Sequence, residues 1–384
     1  MSDDRLLLVA RPYDLSDAPF DGFVTHHARL VELLRSRYQL RLLLVRPEHD
    51  RSYVRADLRD LVYADLAAPA LGLSRRERLR RGLALTRGAP LGAASLRISE
   101  VARACGASRA VTLGPWLGQE YEAIYRVLPT MHFFEEDLSA MPENAPQSVQ
   151  ARMLRRLECA FQRHARFQPR CAVYIGPGEE GPARRRYAQS RLLWHPYLLP
   201  REDWPLAQNA SQGKHVLVVG QFAQPRNAEG LEHVLDALVR IPQRPLVKLL
   251  SSAGTHPCLQ KHLDSGALVR DSDSGLLYDK YRSAIASIVP ARRVSGIKTT
   301  VLQAWAAGCP VACFPVSASS VGTFAFDSVV QASTPALLAE RLVAMINNHD
   351  QREKLAARGR RVMEEYFDPS VRAQELLAAL DGLI

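Results

Sequence analysis

Val289–Val316, VPARRVSGIKTTVLQAWAAGCPVACFPV, is the stretch from which the fold can be read. The run AIASIV ending at Val289 is short, apolar and of strand type, and Pro290 closes it. Arg292 and Arg293 then make the chain basic, and Gly296 supplies a bend. Thr299 to Ala307 has helical composition, and Gly308 stands where a helix C-terminus wants a residue tolerant of positive φ. Pro310 follows, and Val311–Val316 reads as the next buried strand. The order is strand, basic glycine loop, helix, strand. A helix N-terminus gathers unpaired N–H groups and the positive end of a dipole, so anions settle there. Gly296, Lys298, Thr299 and Thr300 are the residue types a diphosphate calls for at that point, with Arg292 or Arg293 adding charge. The plainer alternative is a βαβ crossover whose glycines only make turns.

The segment upstream repeats the arrangement. His215–Gly220 (HVLVVG) reads as a strand and GQFAQPRNAEGLEHVLDAL as a glycine loop feeding an amphipathic helix. Backbone N–H groups after Gly220, with Gln221 and Arg226 nearby, suit a donor phosphate or sugar. Leu246–Leu250 and Ala267–Val269 follow as strands, and the loop SSAGT (251–255) is a candidate base or ribose contact. Asp271 and Asp273 (RDSDSG) have the look of a metal-binding DxD but read as turn residues, and no metal site is expected.

Together these residues resemble the donor segment of the GT-B glycosyltransferases of group 1, whose pattern runs roughly G-x-K/P-x-x-E-A-x-A-x-G-x-P-V. Gly296, Gln303, Ala304, Ala306, Gly308, Pro310 and Val311 match it in order, and Gly220, Asn227, Gly230 and Leu231 match the family's first glycine loop. The resemblance implies two Rossmann-like α/β domains with parallel sheets facing an inter-domain cleft. It implies no cofactor, only a nucleotide-diphosphate sugar of UDP or GDP type as co-substrate. The family's pair of glutamates would fall on Ser295 and Gln303; the second typically holds the ribose, and a glutamine still hydrogen-bonds hydroxyls without charge.

The first half opens in a similar way. RLLLVA (5–10) is a strand, Arg11–Val24 a long glycine-bearing loop, His26–Ser36 a helix and QLRLLLV (39–45) the next strand. In proteins of this resemblance the loop lies over the cleft, which makes Asp21, Gly22, His26 and His27 acceptor-side candidates; a surface or capping histidine is the simpler reading. Thr130–Phe134 is a strand that runs into FFEEDLSAM. Ligands of open α/β sheets are met at strand ends, and an acceptor hydroxyl needs a carboxylate within hydrogen-bonding reach. The position is similar to that of the aspartate base in several inverting enzymes of the family. Asp137 is the first choice for the catalytic base and Glu136 the second, against the alternative of a helix cap and solvated neighbours. SRRERLRRGLALTR (74–87) is a basic helix, read either as a solvated face or as a contact for an anionic membrane surface.

At 384 residues, two domains are the default. The boundaries fall at 1–199, a linker at 200–214, a donor domain at 215–366 and a C-terminal helix, 367–384, expected to pack back on the first domain. A 47% apolar and 23% charged composition is that of an ordinary globular protein. The net charge is +10, with arginine outnumbering lysine 44 to 6 and no nucleic-acid motif. Six cysteines without CxxC spacing, no apolar run of the roughly 20 residues a span requires, and an acidic start running straight into a strand predict a cytoplasmic protein; the resemblance implies an enzyme. The expected reaction is hexosyl transfer to a glycan or lipid-linked acceptor in bacterial cell-surface or exopolysaccharide synthesis. Two rivals remain. A non-catalytic scaffold of the same fold is favoured by Ser295 and Gln303. A nicotinamide-dependent oxidoreductase is disfavoured, because neither glycine loop is GxGxxG followed by an acidic residue.

Overall fold

The computed structural model describes residues 4–16, 22–47, 52–68, 75–87, 93–114, 120–134, 153, 156–157, 160–197, 199, 201, 204, 213–251, 254–272, 275–294 and 296–384. The chain forms two compact units, Met1–Leu198 with Ser370–Ile384, and Leu199–Pro369.

The first unit contains β1 (Arg5–Ala10), α1 (Gly22–Arg37), β2 (Gln39–Pro47), β3 (Val62–Ala68), α2 (Arg75–Arg87), α3 (Ala93–Ala104), β4 (Arg109–Leu113), α4 (Glu120–Tyr125), β5 (Thr130–Phe134), β6 (Cys171–Tyr174), α5 (Glu180–Arg186) and β7 (Arg191–Trp194). Its sheet is parallel throughout, in the order β3-β2-β1-β4-β5-β6-β7. Strands covered on both faces read as near-continuous apolar runs, which is why RLLLVA does not alternate. Leu6 and Leu8 of β1 pack with Leu30 and Leu34 of α1, while Leu7 and Val9 pack on the other face with Ile98 of α3 and Tyr121 of α4.

The second unit contains β8 (His215–Gly220), α6 (Pro225–Leu238), β9 (Leu246–Ser251), α7 (Gln260–Asp264), β10 (Leu268–Arg270), α8 (Leu277–Ser283), β11 (Ala286–Val289), α9 (Thr299–Ala306), β12 (Val311–Cys313), α10 (Pro315–Val321), β13 (Val330–Gln331), α11 (Pro335–Asn347) and α12 (His349–Tyr366). Its parallel sheet runs β10-β9-β8-β11-β12-β13. One face carries α6 and α11, through Leu231, Val234, Leu235, Leu338 and Leu342 against Val216 and Val218.

A last helix, α13 (Pro369–Asp381), places Leu376 and Leu380 in the core of the first unit. Asp381 accepts hydrogen bonds from the Tyr38 hydroxyl at 2.5 Å, Arg37 at 3.3 Å and Arg109 at 3.2 Å. Arg109, itself buried, also donates to the Leu380 carbonyl at 3.0 Å and pairs with Asp4 at 2.5 Å. Asp381→Ala should therefore fray α13, at a cost of about 1 kcal/mol. Hydrogen exchange would show faster exchange in residues 370–384 with the second unit unchanged; unaltered protection there would refute the clamp.

The structure changes several expectations. The first long loop is shorter than the sequence suggested. Pro12–Leu15 makes a 3₁₀ turn and α1 begins at Gly22, so Gly22 opens a helix and His26 and His27 lie within it. Cys105, Cys171, Cys258, Cys309 and Cys313 are free thiols, and Cys159 lies outside the described residues.

Candidate functional site

In each sheet the strand order reverses once, between β1 and β4 and between β8 and β11. Open α/β sheets meet ligands beyond the C-terminal ends of the strands at such a reversal, where the adjacent crossovers leave towards opposite faces. In the second unit the two strands concerned are those followed by the two glycine loops.

The loop after β8 is pinned from within. Phe222 is buried, its N–H donates to Ser251 Oγ at 3.2 Å, and its carbonyl accepts the His256 N–H at 2.7 Å. Ser251 Oγ donates in turn to the Gly254 carbonyl at 2.6 Å, which laces the β8 and β9 loops together. Asn227 donates its side-chain amide to the Gln221 carbonyl at 3.0 Å, and Gln224 donates to Gln221 Oε1 at 2.7 Å. Asn227 thus holds the loop's shape. Arg226 lies in the first turn of α6, which starts at Pro225 without a side-chain cap.

The loop after β11 is held at both ends by α10. Ser317 Oγ donates to the Ala291 carbonyl at 3.1 Å, and Ser320 Oγ accepts the Lys298 N–H at 3.2 Å. Ser320 also donates to the Ser317 carbonyl at 2.8 Å. Gly296 has φ +65°, which an L-residue adopts only with strain. α9 begins without a side-chain cap, at Lys298. Val301, Leu302, Ala304, Trp305 and Ala306 are buried and fix the helix, while Lys298, Thr299, Thr300 and Gln303 are half-buried. At about 100° per residue, Thr299, Thr300 and Gln303 share one face. From the far end, Arg360 of α12 donates to the Ala306 carbonyl at 2.8 Å. Of the two arginines, Arg292 lies over the Phe314 ring, 6.0 Å from its centroid; Arg293 is exposed.

Gly230 brings α6 against the end of β11. A Cβ built there would lie 2.1 Å from the Pro290 carbonyl oxygen, so α6 meets the end of β11 with no room for a side chain. Lys298, Thr299, Thr300 and Gln303 stand at the start of α9, which follows β11, the strand that pairs with β8.

Other candidates fall elsewhere. Asp137, Glu136, Asp21 and Ser295 lie outside the described residues, as does Asp273. Asp271 is more than a turn residue: it forms an ion pair with Lys280 of α8 at 2.8 Å, with both side chains almost buried. Among the described residues no cluster of three metal-ligating side chains occurs. His26 is neither a surface nor a capping residue. It is buried, with its ring 4.5 Å from that of Tyr197, edge-on, and 6.2 Å from that of His195. Burial, and then the neighbouring His27 and His195, push its pKa well down.

Sequence reasoning missed Ser317, Ser320 and Arg360, which position the β11 loop and α9. The signal for the serines was present in PVSASSV, since positions three apart share a helix face.

Residues 213–348 match the family model described as "Glycosyl transferases group 1". Among curated proteins no sequence matches this chain significantly. Similar solved structures include HepE of Anabaena in complex with UDP (TM-score 0.68, 12% identity, 98% of this chain and 100% of that one). Another is sucrose-phosphate synthase from Thermosynechococcus elongatus (0.66, 14%, 99% of each). A third is TarM (0.58, 7%), where the match covers 73% of this chain and spans only 57% of TarM. At such identities the likeness is one of fold. The segment from Gly213 to Asn348 thus matches the group 1 glycosyl transferases, in a chain that shares the two-sheet GT-B fold of these structures.

Proposed function

We propose that the chain transfers a hexosyl group from a nucleoside-diphosphate sugar to a hydroxyl of a glycan or lipid-linked acceptor, in bacterial cell-surface or exopolysaccharide synthesis. The observation that carries this reading is that the two glycine loops follow the two strands at the strand-order reversal of the second unit, where α6 lies against the end of β11 and Lys298 stands at the start of α9. The UDP held by HepE, with glucose or as UDP-glucose in other structures of it, supports a donor of UDP type. Lys298, Thr299, Thr300 and the N–H groups of α9 would neutralise the leaving diphosphate, where charge grows in the transition state. Gln221, Arg226 and Arg293 would add donor contacts, and Gln303 would hydrogen-bond the ribose. The acceptor oxygen bonds to the anomeric carbon as the bond to the diphosphate oxygen breaks. The acceptor proton passes to a carboxylate, Asp137 before Glu136. No metal is required by this scheme. The enzyme would work in the cytoplasm, at the inner face of a membrane met by its basic first unit; no described helix is long and apolar enough to cross one.

A second reading, a non-catalytic member that binds a sugar or a partner, is favoured by one feature. The half-buried position on α9 that would face a ribose carries the neutral Gln303.

A thermal-shift panel with UDP, GDP, ADP, CMP and NAD tests both. A ligand at a hundred times its Kd adds about 2.7 kcal/mol of stability. One nucleoside diphosphate, UDP first, should stabilise wild type, and Lys298→Ala should lose most of that gain. No response to any diphosphate would refute the donor site. Diphosphate binding without turnover of donor and acceptor would leave the non-catalytic reading in its place.

A further inference from the structure

α2 is a helix that buries nothing described. Its 13 residues, RRERLRRGLALTR, hold six arginines, three leucines and a single glutamate. Of the side chains described, Arg76, Leu79, Arg80, Leu83 and Arg87 are exposed, and Ala84 and Thr86 are half-buried. Leu79 and Leu83, one turn apart, are 40% and 46% exposed. By helical geometry they form a narrow apolar stripe, and Arg76, Arg87 and Arg80 follow along one side of it. An isolated helix of this length is marginal in water, and Gly82 in its middle weakens it further. A solvated face would not need leucines on its exposed side, and the first helix after it also shows Leu96, 52% exposed, beside an exposed Arg97.

We infer that this face of α2 docks on an anionic lipid bilayer, with Leu79 and Leu83 entering the headgroup–acyl boundary and Arg76, Arg80 and Arg87 pairing with lipid phosphates. The charge decides the occupant. A protein groove would take the leucines but would bury the arginines beside them at a desolvation cost. A bilayer takes the apolar stripe and keeps the guanidinium heads at the phosphate level on their long stems. The inference deepens the proposed function by naming the surface that would meet a lipid-linked acceptor, but it does not depend on which sugar is moved.

The test is co-sedimentation of the full chain with vesicles of phosphatidylglycerol mixed into phosphatidylcholine, and with phosphatidylcholine alone. Wild type should sediment with the anionic vesicles only. Leu79→Ser with Leu83→Ser should lower the partition by tenfold or more. Each of Arg76→Gln, Arg80→Gln and Arg87→Gln should lower it about fivefold, since each arginine near the surface contributes about 1 kcal/mol. Leu83→Trp should show a blue-shifted emission with anionic vesicles. The exposed positions make unfolding an unlikely confounder, and an unchanged UDP-induced thermal shift in each variant checks that directly. Failure of wild type to sediment, or equal sedimentation by the leucine variant, would overturn the inference. A wild type that ignores vesicles but is retained by RNA or by a second copy of the chain would overturn it too. None of these outcomes bears on the donor site, which the nucleotide panel tests separately.

Discussion

Gly230→Ala should destabilise the second unit by about 3 kcal/mol or more and remove nucleoside-diphosphate binding from whatever remains folded. The added Cβ would sit 2.1 Å from the Pro290 carbonyl oxygen and 3.2 Å from its carbon. Neither neighbour is the free end of a flexible side chain. Pro290 follows the last residue of a central strand, and α6 is fixed by Leu231, Val234 and Leu235 in the core. Relief therefore requires the helix to move off the sheet or the β11 loop to shift, and that loop leads into Gly296 and Lys298. Denaturant unfolding, followed by hydrogen exchange in residues 225–238 and 286–300, reads the two consequences apart. Gly178→Ala is the control: its Cβ would meet nothing within 4 Å, and it should change stability by less than about 0.5 kcal/mol. Wild-type stability in Gly230→Ala would show that α6 does not lie against the end of β11, and the site as described would fail with it.

That contact also shows what was legible in the sequence. AIASIV, the loop with Gly296, the helix to Ala306 and the strand from Val311 could be read in order, because each has a strong local signal: an apolar run, a positive-φ glycine, helical spacing, a proline stop. N-x-x-G-L could be matched at Asn227, Gly230 and Leu231, but the physical reason for Gly230 could not. Close approach is a property of strand order, and nothing local says that β8 lies beside β11. The same limit hid α10. Pro315 and Val316 read as the end of the strand from Val311, but that strand stops at Cys313 and a helix, whose Ser317 and Ser320 bind both ends of the β11 loop, starts at Pro315. Asp271 failed for a related reason. Its partner Lys280 lies nine residues on, in a helix, and only the fold brings the charges to 2.8 Å. The first unit was read more loosely. β3, α3 and β7 were not separated as elements, since VYADLAA and RLLW carry weak periodicity.

Acidification should cost the first unit most of its stability before the carboxylates titrate. Four of its histidines, His26, His27, His132 and His195, are buried to within 1% of full exclusion. His132, on β5, is pushed down to about 3, chiefly by burial and then by Arg186. His195, just after β7, is also pushed down to about 3, by burial and then by Arg372. His26 is pushed well below its ordinary value. The surroundings hold little that would stabilise a cation. Tyr121, Tyr125 and Tyr187 face His132, whose Nδ1 lies 2.8 Å from the Thr112 hydroxyl. Phe133, His26 and the Arg372 charge lie around His195, and no described residue hydrogen-bonds either of its ring nitrogens. An unfolded histidine binds its proton near pH 6.5, whereas His132 and His195 bind theirs only near pH 3, and His26 is shifted in the same direction. Between those limits the unfolded chain holds more protons, so stability is full above about pH 6.5 and falls as pH falls. Each histidine contributes about 1.4 kcal/mol per pH unit, so His132 and His195 together give a slope of about 2.8, to which His26 adds in the same direction; by pH 5 the loss approaches the whole stability of a marginal domain. Urea midpoints measured across this range, with hydrogen exchange to assign them to the first unit, should show that slope. His195→Phe should reduce it by about a third while keeping the aromatic contacts with Phe133. A flat profile between pH 6.5 and 5 would mean that the histidines open to water or find partners when protonated. It would also contradict the closed packing of α1 over the ends of β5 and β7 on which the burial of His26 rests.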